Sequence, residues 1–184
     1  MARRRSFVKR TNKKKRIRSR SRIRSRSRSR NLTKNRTKRI NQRGGDGEVI
    51  LVASLEHDNR VTSVAFHRTL PLLATGSVDR TVKLWLLSCD NSSATNVATL
   101  EGHSRAANSV AFHPTAPLLA TGSDDNTVKL WRLSDDYSYA TSVATLGEHS
   151  SYVNSVAFHP TAPLLATGSD DNTVKMWRWC HFCF

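Results

Sequence analysis

The first 43 residues of this chain contain no acidic side chain, although they carry 21 of its 30 lysines and arginines. The other nine basic residues stand against all 14 acids, so the remainder has a formal charge of −5. This asymmetry predicts a basic arm attached to an ordinary domain. The arm's few apolar residues follow neither a helical nor a strand period, so we expect residues 1–43 to be disordered.

Long apolar runs and paired cysteines are also missing. No segment reaches the roughly 18 consecutive apolar residues of a membrane-spanning helix, so we expect no membrane partner. No apolar stretch follows the basic N-terminus, which argues against a secretory signal. Three cysteines do not make a disulfide framework, and Cys180 with Cys183 forms only half of a zinc site. We therefore predict an intracellular protein with no metal and no cofactor.

The basic arm allows several interpretations. The cluster Lys13, Lys14, Lys15 and Arg16 is typical of a nuclear import signal, and dense positive charge favours RNA or DNA phosphates. The Arg-Ser dipeptides of residues 18–30 resemble the RS segments of SR splicing proteins. That resemblance implies phosphorylation, each phosphate adding about −1.5 to −2 charges, at Ser19, Ser21, Ser25, Ser27 and Ser29. A nuclear location is favoured over a cytoplasmic one, and the alternative is a polycation of low specificity.

After a glycine-rich linker at 44–47, the sequence repeats itself every 46 residues. Residues 108–131 and 154–177 differ only at Leu130, which becomes Met176. Three units follow one another, at about 48–92, 93–138 and 139–179, and an irregular segment 180–184 follows them. The 184 residues therefore comprise the basic arm and one domain built of repeats.

Each unit consists of short β-branched and apolar runs bounded by glycine, proline, asparagine and aspartate, which are strand signals. In the first unit the runs predict strands over 61–66, 72–77, 81–85 and 96–100. No helical period is present, so the units predict an all-β array. Residues 49–55 predict one further outer strand, with no sheet before it to join.

The segment Glu-Gly-His at 101–103, followed by Leu-Ala-Thr-Gly-Ser-Asp-Asp-Asn-Thr-Val-Lys-Leu-Trp at 119–131, resembles a WD40 repeat. The resemblance implies β-propeller blades, each unit supplying the outer strand of one blade and three strands of the next. It also implies a buried His–Thr–Asp–Trp tetrad in every unit. The matching sets are His57, Thr75, Asp79 and Trp85; His103, Thr121, Asp125 and Trp131; and His149, Thr167, Asp171 and Trp177.

The family resemblance implies a platform for proteins or peptides on one loop face. The matching candidate residues are Asn59, Val78, Arg105, Asp124, Ser151, Tyr152 and Asp170. A catalytic triad is disfavoured, because the histidine, threonine and aspartate recur in every unit. We predict a non-enzymatic interaction scaffold whose arm serves nuclear targeting or nucleic-acid contact. The alternative is a basic nucleic-acid-associated protein whose arm binds and whose propeller segment only oligomerises.

Three repeats are too few for a closed ring, since propellers typically have about 4–8 blades. Two chains of three units would complete a ring as a homo-oligomer. The other possibilities are an open monomer and a truncated, non-functional relic of a longer WD40 protein. Unless copies associate, we expect an incomplete ring with an apolar wall at each end.

Overall fold

The computed structural model describes residues 39–40, as backbone only, and residues 49–179. Several sequence predictions lie outside this part of the chain. They are the arm up to residue 38, with its cluster at 13–16 and its candidate serines, the linker 44–47, and the C-terminal segment 180–184.

The described strands are all paired antiparallel. A small sheet joins β1 (Arg39–Ile40) to β2 (Val49–Ile50). Three larger sheets follow, which we name blades 1, 2 and 3. Blade 1 comprises β3 (Val61–Phe66), β4 (Leu72–Ser77), β5 (Val82–Leu87) and β6 (Ala94–Leu100). Blade 2 comprises β7 (Ala107–Phe112), β8 (Leu118–Ser123), β9 (Val128–Leu133) and β10 (Ala140–Leu146). Blade 3 comprises β11 (Val153–Phe158), β12 (Leu164–Ser169) and β13 (Val174–Arg178).

Local side-chain hydrogen bonds set the first two turns of each blade. In the first turn of blade 1, His67 Nδ1 accepts the backbone N–H groups of Thr69 and Leu70 at 3.2 and 3.1 Å. In the second turn, Asp79 Oδ1 accepts the backbone N–H of Thr81 at 2.8 Å, and the intervening Arg80 has φ 73°. The other two units place asparagine at the position of Arg80, a residue that tolerates this left-handed conformation better.

The hydrophobic core lies between the blades. Each blade has a face A, directed toward the following blade, and a face B, directed toward the preceding one. Val82 and Leu84 on face A of blade 1 share one buried cluster with Val110 on face B of blade 2. Val128 and Leu130 in blade 2 do the same with Val153 and Val156 in blade 3. Successive blades are therefore joined by one repeated interface.

Blades 2 and 3 approach closely at Gly122 in β8, where a larger residue would not fit. A Cβ atom on Gly122 would lie 2.8 Å from Val153 Cγ1 and 3.1 Å from Val156 Cγ1. Backbone-to-side-chain hydrogen bonds cross the same boundary, because Val156 N–H donates to Ser109 Oγ at 3.1 Å. The close contact at Gly122 and the hydrogen bond to Ser109 together fix the spacing between the two blades, in addition to the buried hydrophobic cluster.

The structure confirms the prediction of an all-β, propeller-type array in which the ring is not closed. The expected strand over 49–55 is shorter than predicted: only Val49–Ile50 forms a strand, and it pairs with Arg39–Ile40. Blade 3 has no fourth strand among the described residues. Within that same part of the chain, no helix is long and apolar enough to cross a membrane.

Candidate functional site: buried relays and a loop cleft

A hydrogen-bonded relay runs through each blade, and blade 2 illustrates it. His103 Nδ1 lies 2.9 Å from Asp125 Oδ2, and His103 Nε2 lies 2.7 Å from Thr121 Oγ1. Trp131 Nε1–H donates to the same Thr121 oxygen at 2.9 Å. An indole N–H can only donate, so Thr121 Oγ1 accepts it and can still donate its own proton to His103 Nε2. His103 Nδ1–H then donates to the carboxylate, which corresponds to a neutral imidazole.

The structure brings the other two sequence-predicted tetrads together in the same way. In blade 1, Trp85 Nε1 lies 2.8 Å from Thr75 Oγ1, and His57 lies 2.6 Å from Thr75 and 2.9 Å from Asp79. In blade 3, the corresponding distances are 3.0, 2.8 and 2.7 Å, for Trp177–Thr167, His149–Thr167 and His149–Asp171. Among the described residues, no fully buried side-chain nitrogen or oxygen lacks a hydrogen-bond partner.

The electrostatics of the relay favour a neutral histidine beside an ionised aspartate. Burial lowers the pKa of His103 and outweighs the opposing effect of Asp125. Burial raises the pKa of Asp125, but hydrogen bonds from Thr127 and His103 outweigh it and hold that pKa below its usual range. Thr121 is fully buried and its oxygen already accepts the indole N–H. The set therefore has the geometry of a structural relay, with its hydroxyl out of reach of a substrate.

A polar cleft opens between blades 2 and 3 at the end of the strands where the relay aspartates lie. Its volume is about 470 Å³. The lining residues are Ser104, Arg105, Asp124, Asp125, Asn126, Ser150, Ser151 and Tyr152. Four of the seven loop residues singled out from the sequence, namely Arg105, Asp124, Ser151 and Tyr152, thus line one cleft.

The structure does not bring the other three loop candidates to this cleft. Asn59 and Val78 occupy in blade 1 the positions that Arg105 and Asp124 occupy in blade 2. Val78 is half-buried, and its backbone N–H donates to the carbonyl of Arg60 at 2.9 Å. Asp170 is exposed on blade 3, where its carboxylate accepts a hydrogen bond from the side chain of Asn154.

Sequence reasoning missed a second cleft, of about 430 Å³, at the opposite ends of the strands. It is lined by the proline-containing turns of blades 2 and 3 together with Trp179. The Trp179 ring packs edge-on against His113 and Phe158, with centroid distances of 5.4 and 5.5 Å. The two prolines in each of these turns were the sequence signal that could have indicated this cleft. Trp179 gave no such signal, because it lies just after the last residue that matches the preceding unit.

Neither cleft has the ligands of a metal centre. Within residues 49–179, no group of three or more histidine, cysteine, aspartate or glutamate side chains is placed to hold a metal ion. Cys89 is exposed and not in a disulfide. The polar side chains that line the cleft between blades 2 and 3 are suited to contact with another polar molecule.

One comparison with known proteins bears on these features. The family model described as "WD domain, G-beta repeat" matches residues 49–85, 94–132 and 140–178, which together make up more than half of the chain. No curated protein matches the chain. The three matched segments coincide with the three repeat units, and each contains one complete relay.

Proposed function

Since the chain belongs to the WD40 repeat family, whose members are generally non-enzymatic interaction scaffolds, we propose that it binds a protein or peptide in the cleft between blades 2 and 3. The cleft offers an exposed cation on Arg105, a carboxylate on Asp124 and a partly exposed phenol on Tyr152. Arginine and tyrosine are enriched among the residues that dominate the energy of protein interfaces.

This proposal rests on the positions at which the second and third repeat units differ. Residues 108–131 and 154–177 are almost identical, but the preceding segments read Arg105-Ala106-Ala107 and Ser151-Tyr152-Val153. Arg105, Ser151 and Tyr152 line the cleft. Three of the side chains that differ thus line the cleft, while most of the packing residues are the same in both units; the buried pair Ala107 and Val153 is an exception.

A displayed library of linear peptides, selected against the full chain, tests the proposal. We expect selected peptides to lose at least about tenfold in affinity on Tyr152→Ala or Arg105→Ala, because central aromatic and arginine contacts are worth about 2 kcal/mol or more. Isothermal titration calorimetry gives the dissociation constants. Both side chains are exposed, so neither substitution disturbs the core.

The matched control is Thr161→Ala, which alters the cleft at the opposite ends of the strands. Affinity should stay within about twofold of the original, as expected for a residue outside the contact. Peptides that bind equally well to the Tyr152 and Arg105 variants would contradict the proposal. Loss of binding on Thr161→Ala alone would place the site in the other cleft.

We propose in addition that residues 1–43 contact nucleic acid and direct nuclear import, with the charge of the arm as the supporting observation. Each phosphate contact releases counterions, so affinity should fall steeply with salt. Phosphorylation of the five candidate serines would then weaken binding by adding negative charge.

Replacing Lys13, Lys14, Lys15 and Arg16 by glutamine in the full chain should reduce the magnitude of the slope of log K against log[salt] by about 3, since each lost contact removes about 0.7–0.9. Fluorescence anisotropy with a random single-stranded RNA and a random duplex DNA measures the slope. The control replaces four exposed blade residues, Arg60, Arg68, Arg80 and Arg178, by glutamine. Equal slopes in the two variants would count against the arm as the contact.

A further inference from the structure

The first end of the blade array exposes a surface that is buried everywhere else. Val64 on face B of blade 1 is 64% exposed, whereas its counterparts Val110 and Val156 are each 6% exposed. Val61 and Phe66 on the same strand are also exposed. Val153, the counterpart of Val61 in blade 3, is fully buried. Blade 1 thus presents the surface that blades 2 and 3 insert into their neighbours.

The other end of the array exposes the complementary surface. Val174 and Met176 on face A of blade 3 are 72% and 75% exposed. Their counterparts are almost completely buried in blade 1, as Val82 and Leu84, and in blade 2, as Val128 and Leu130. Gly168 lies on this face, and the nearest atom to a Cβ there would be Ser155 Cβ at 3.8 Å. Blade 3 thus presents an unfilled receiving surface.

The two exposed faces have the chemistry that already joins the blades internally. In the internal interfaces, a Cβ on Gly76 would lie 3.3 Å from Val110 Cγ1, and one on Gly122 would lie 3.1 Å from Val156 Cγ1. At the open ends, Gly168 in blade 3 corresponds to these two glycines, and Val64 in blade 1 corresponds to these two valines. The internal hydrogen bond from Val110 N–H to Ser63 Oγ has its counterpart in Val64 N–H and Ser155 Oγ.

Blade 3 has three strands among the described residues, and another segment of the chain matches the sequence of a fourth strand. Residues 52–55 read Val-Ala-Ser-Leu, and residues 97–100 of the fourth strand in blade 1 read Val-Ala-Thr-Leu. In blade 1, Val82 pairs with Leu100 and Leu84 with Ala98. The same register would pair Val174 with Leu55 and Met176 with Ala53. Residues 51–55 lie outside the described strands, and Leu51 and Val52 are about half exposed.

We infer that the occupant of both open faces is a second copy of this chain. Face A of blade 3 receives face B of blade 1 from the partner, and residues 51–55 of the partner form the fourth strand of blade 3. The reciprocal contact forms at the other ends. Two copies with three blades each make six, which lies within the usual range of about 4–8, whereas three copies would make nine.

Cysteine cross-linking of the full chain tests this contact. Cys89, Cys180 and Cys183 are first replaced by serine, and Val64→Cys and Gly168→Cys are then introduced together. At the internal Gly–Val pairs, a Cβ on the glycine would lie 3.3 and 3.1 Å from the valine Cγ1. We expect the equivalent pair between copies to come within reach of a disulfide bond, which needs Cβ atoms about 3.5–4.5 Å apart. Oxidation should convert most of the protein into a covalent dimer of twice 20.6 kDa on a non-reducing gel.

The matched control pairs Val64→Cys with Gly147→Cys, because a Cβ at Gly147 would meet nothing within 4 Å. This variant should give at least about tenfold less dimer at the same protein concentration. Equal dimer yields in the two variants would overturn the proposal. A disulfide formed within one 20.6 kDa chain would overturn it too, since the three blades would then close on themselves.

Discussion

Replacing Thr121 by valine should lower the free energy of unfolding by about 2–4 kcal/mol. Valine keeps the volume of threonine but removes the oxygen that accepts Trp131 Nε1–H and lies 2.7 Å from His103 Nε2. Two buried polar groups then lack a partner, and each costs about 1–3 kcal/mol. Denaturant unfolding followed by tryptophan fluorescence, at fixed protein concentration, measures the loss.

Two further variants separate the relay from simple packing. Thr141→Val makes the same chemical change at an exposed position of β10 and should alter stability by less than about 0.5 kcal/mol. Thr121→Ser keeps the hydroxyl and should recover most of the loss. If Thr121→Val costs no more than Thr141→Val, the relay does not stabilise the blade.

Replacing Gly122 by valine should destabilise the protein by about 3 kcal/mol, because the new side chain overfills a close contact between blades 2 and 3. The new Cβ alone would lie 2.8 Å from Val153 Cγ1 and 3.3 Å from the backbone oxygen of Val153. Overpacking of this kind typically costs about 1–3 kcal/mol, and the two extra methyl groups of valine place this variant at the upper end. Thermal and denaturant unfolding both report the change.

Gly147→Val is the control for this substitution, since a Cβ there would meet nothing within 4 Å. Its effect should stay within about 0.5 kcal/mol. The comparison is conservative, because valine suits the strand position of Gly122 better than a loop position. Similar costs at the two sites would mean that the blades are not in close contact at Gly122.

The relays and the strands could be predicted from the sequence because the repeat supplies three copies of each signal. The histidine, threonine, aspartate and tryptophan recur at fixed spacing. In each unit one turn contains proline and the next contains the relay aspartate, followed by Arg80 in the first unit and by asparagine in the other two. The resemblance to WD40 repeats implies Thr121 on the second strand of its blade and Trp131 on the third, and the two strands are paired in the structure. The structure adds the hydrogen-bond geometry, which depends on tertiary contact.

The cleft and the N-terminal pairing were harder to predict, for physical reasons. Four candidate loop residues meet in one cleft because neighbouring blades bring their loops together, and a single unit carries no information about that contact. Arg39–Ile40 stands in a run of basic residues with no strand period, so its pairing with Val49–Ile50 had no local signal. Trp179 follows the last repeated residue, and its packing on Phe158 depends on the neighbouring turn.

One interface, face A against face B, builds the array, and we infer that the same interface joins two copies. Sedimentation equilibrium of the full chain in high salt measures whether it does. We expect a mass of two chains, 20.6 kDa each, and a mass of one chain after Val64→Asp. A wild-type protein of single-chain mass at micromolar concentration would contradict it. A series of ever larger species would also contradict it, because the same contact would then propagate without closing.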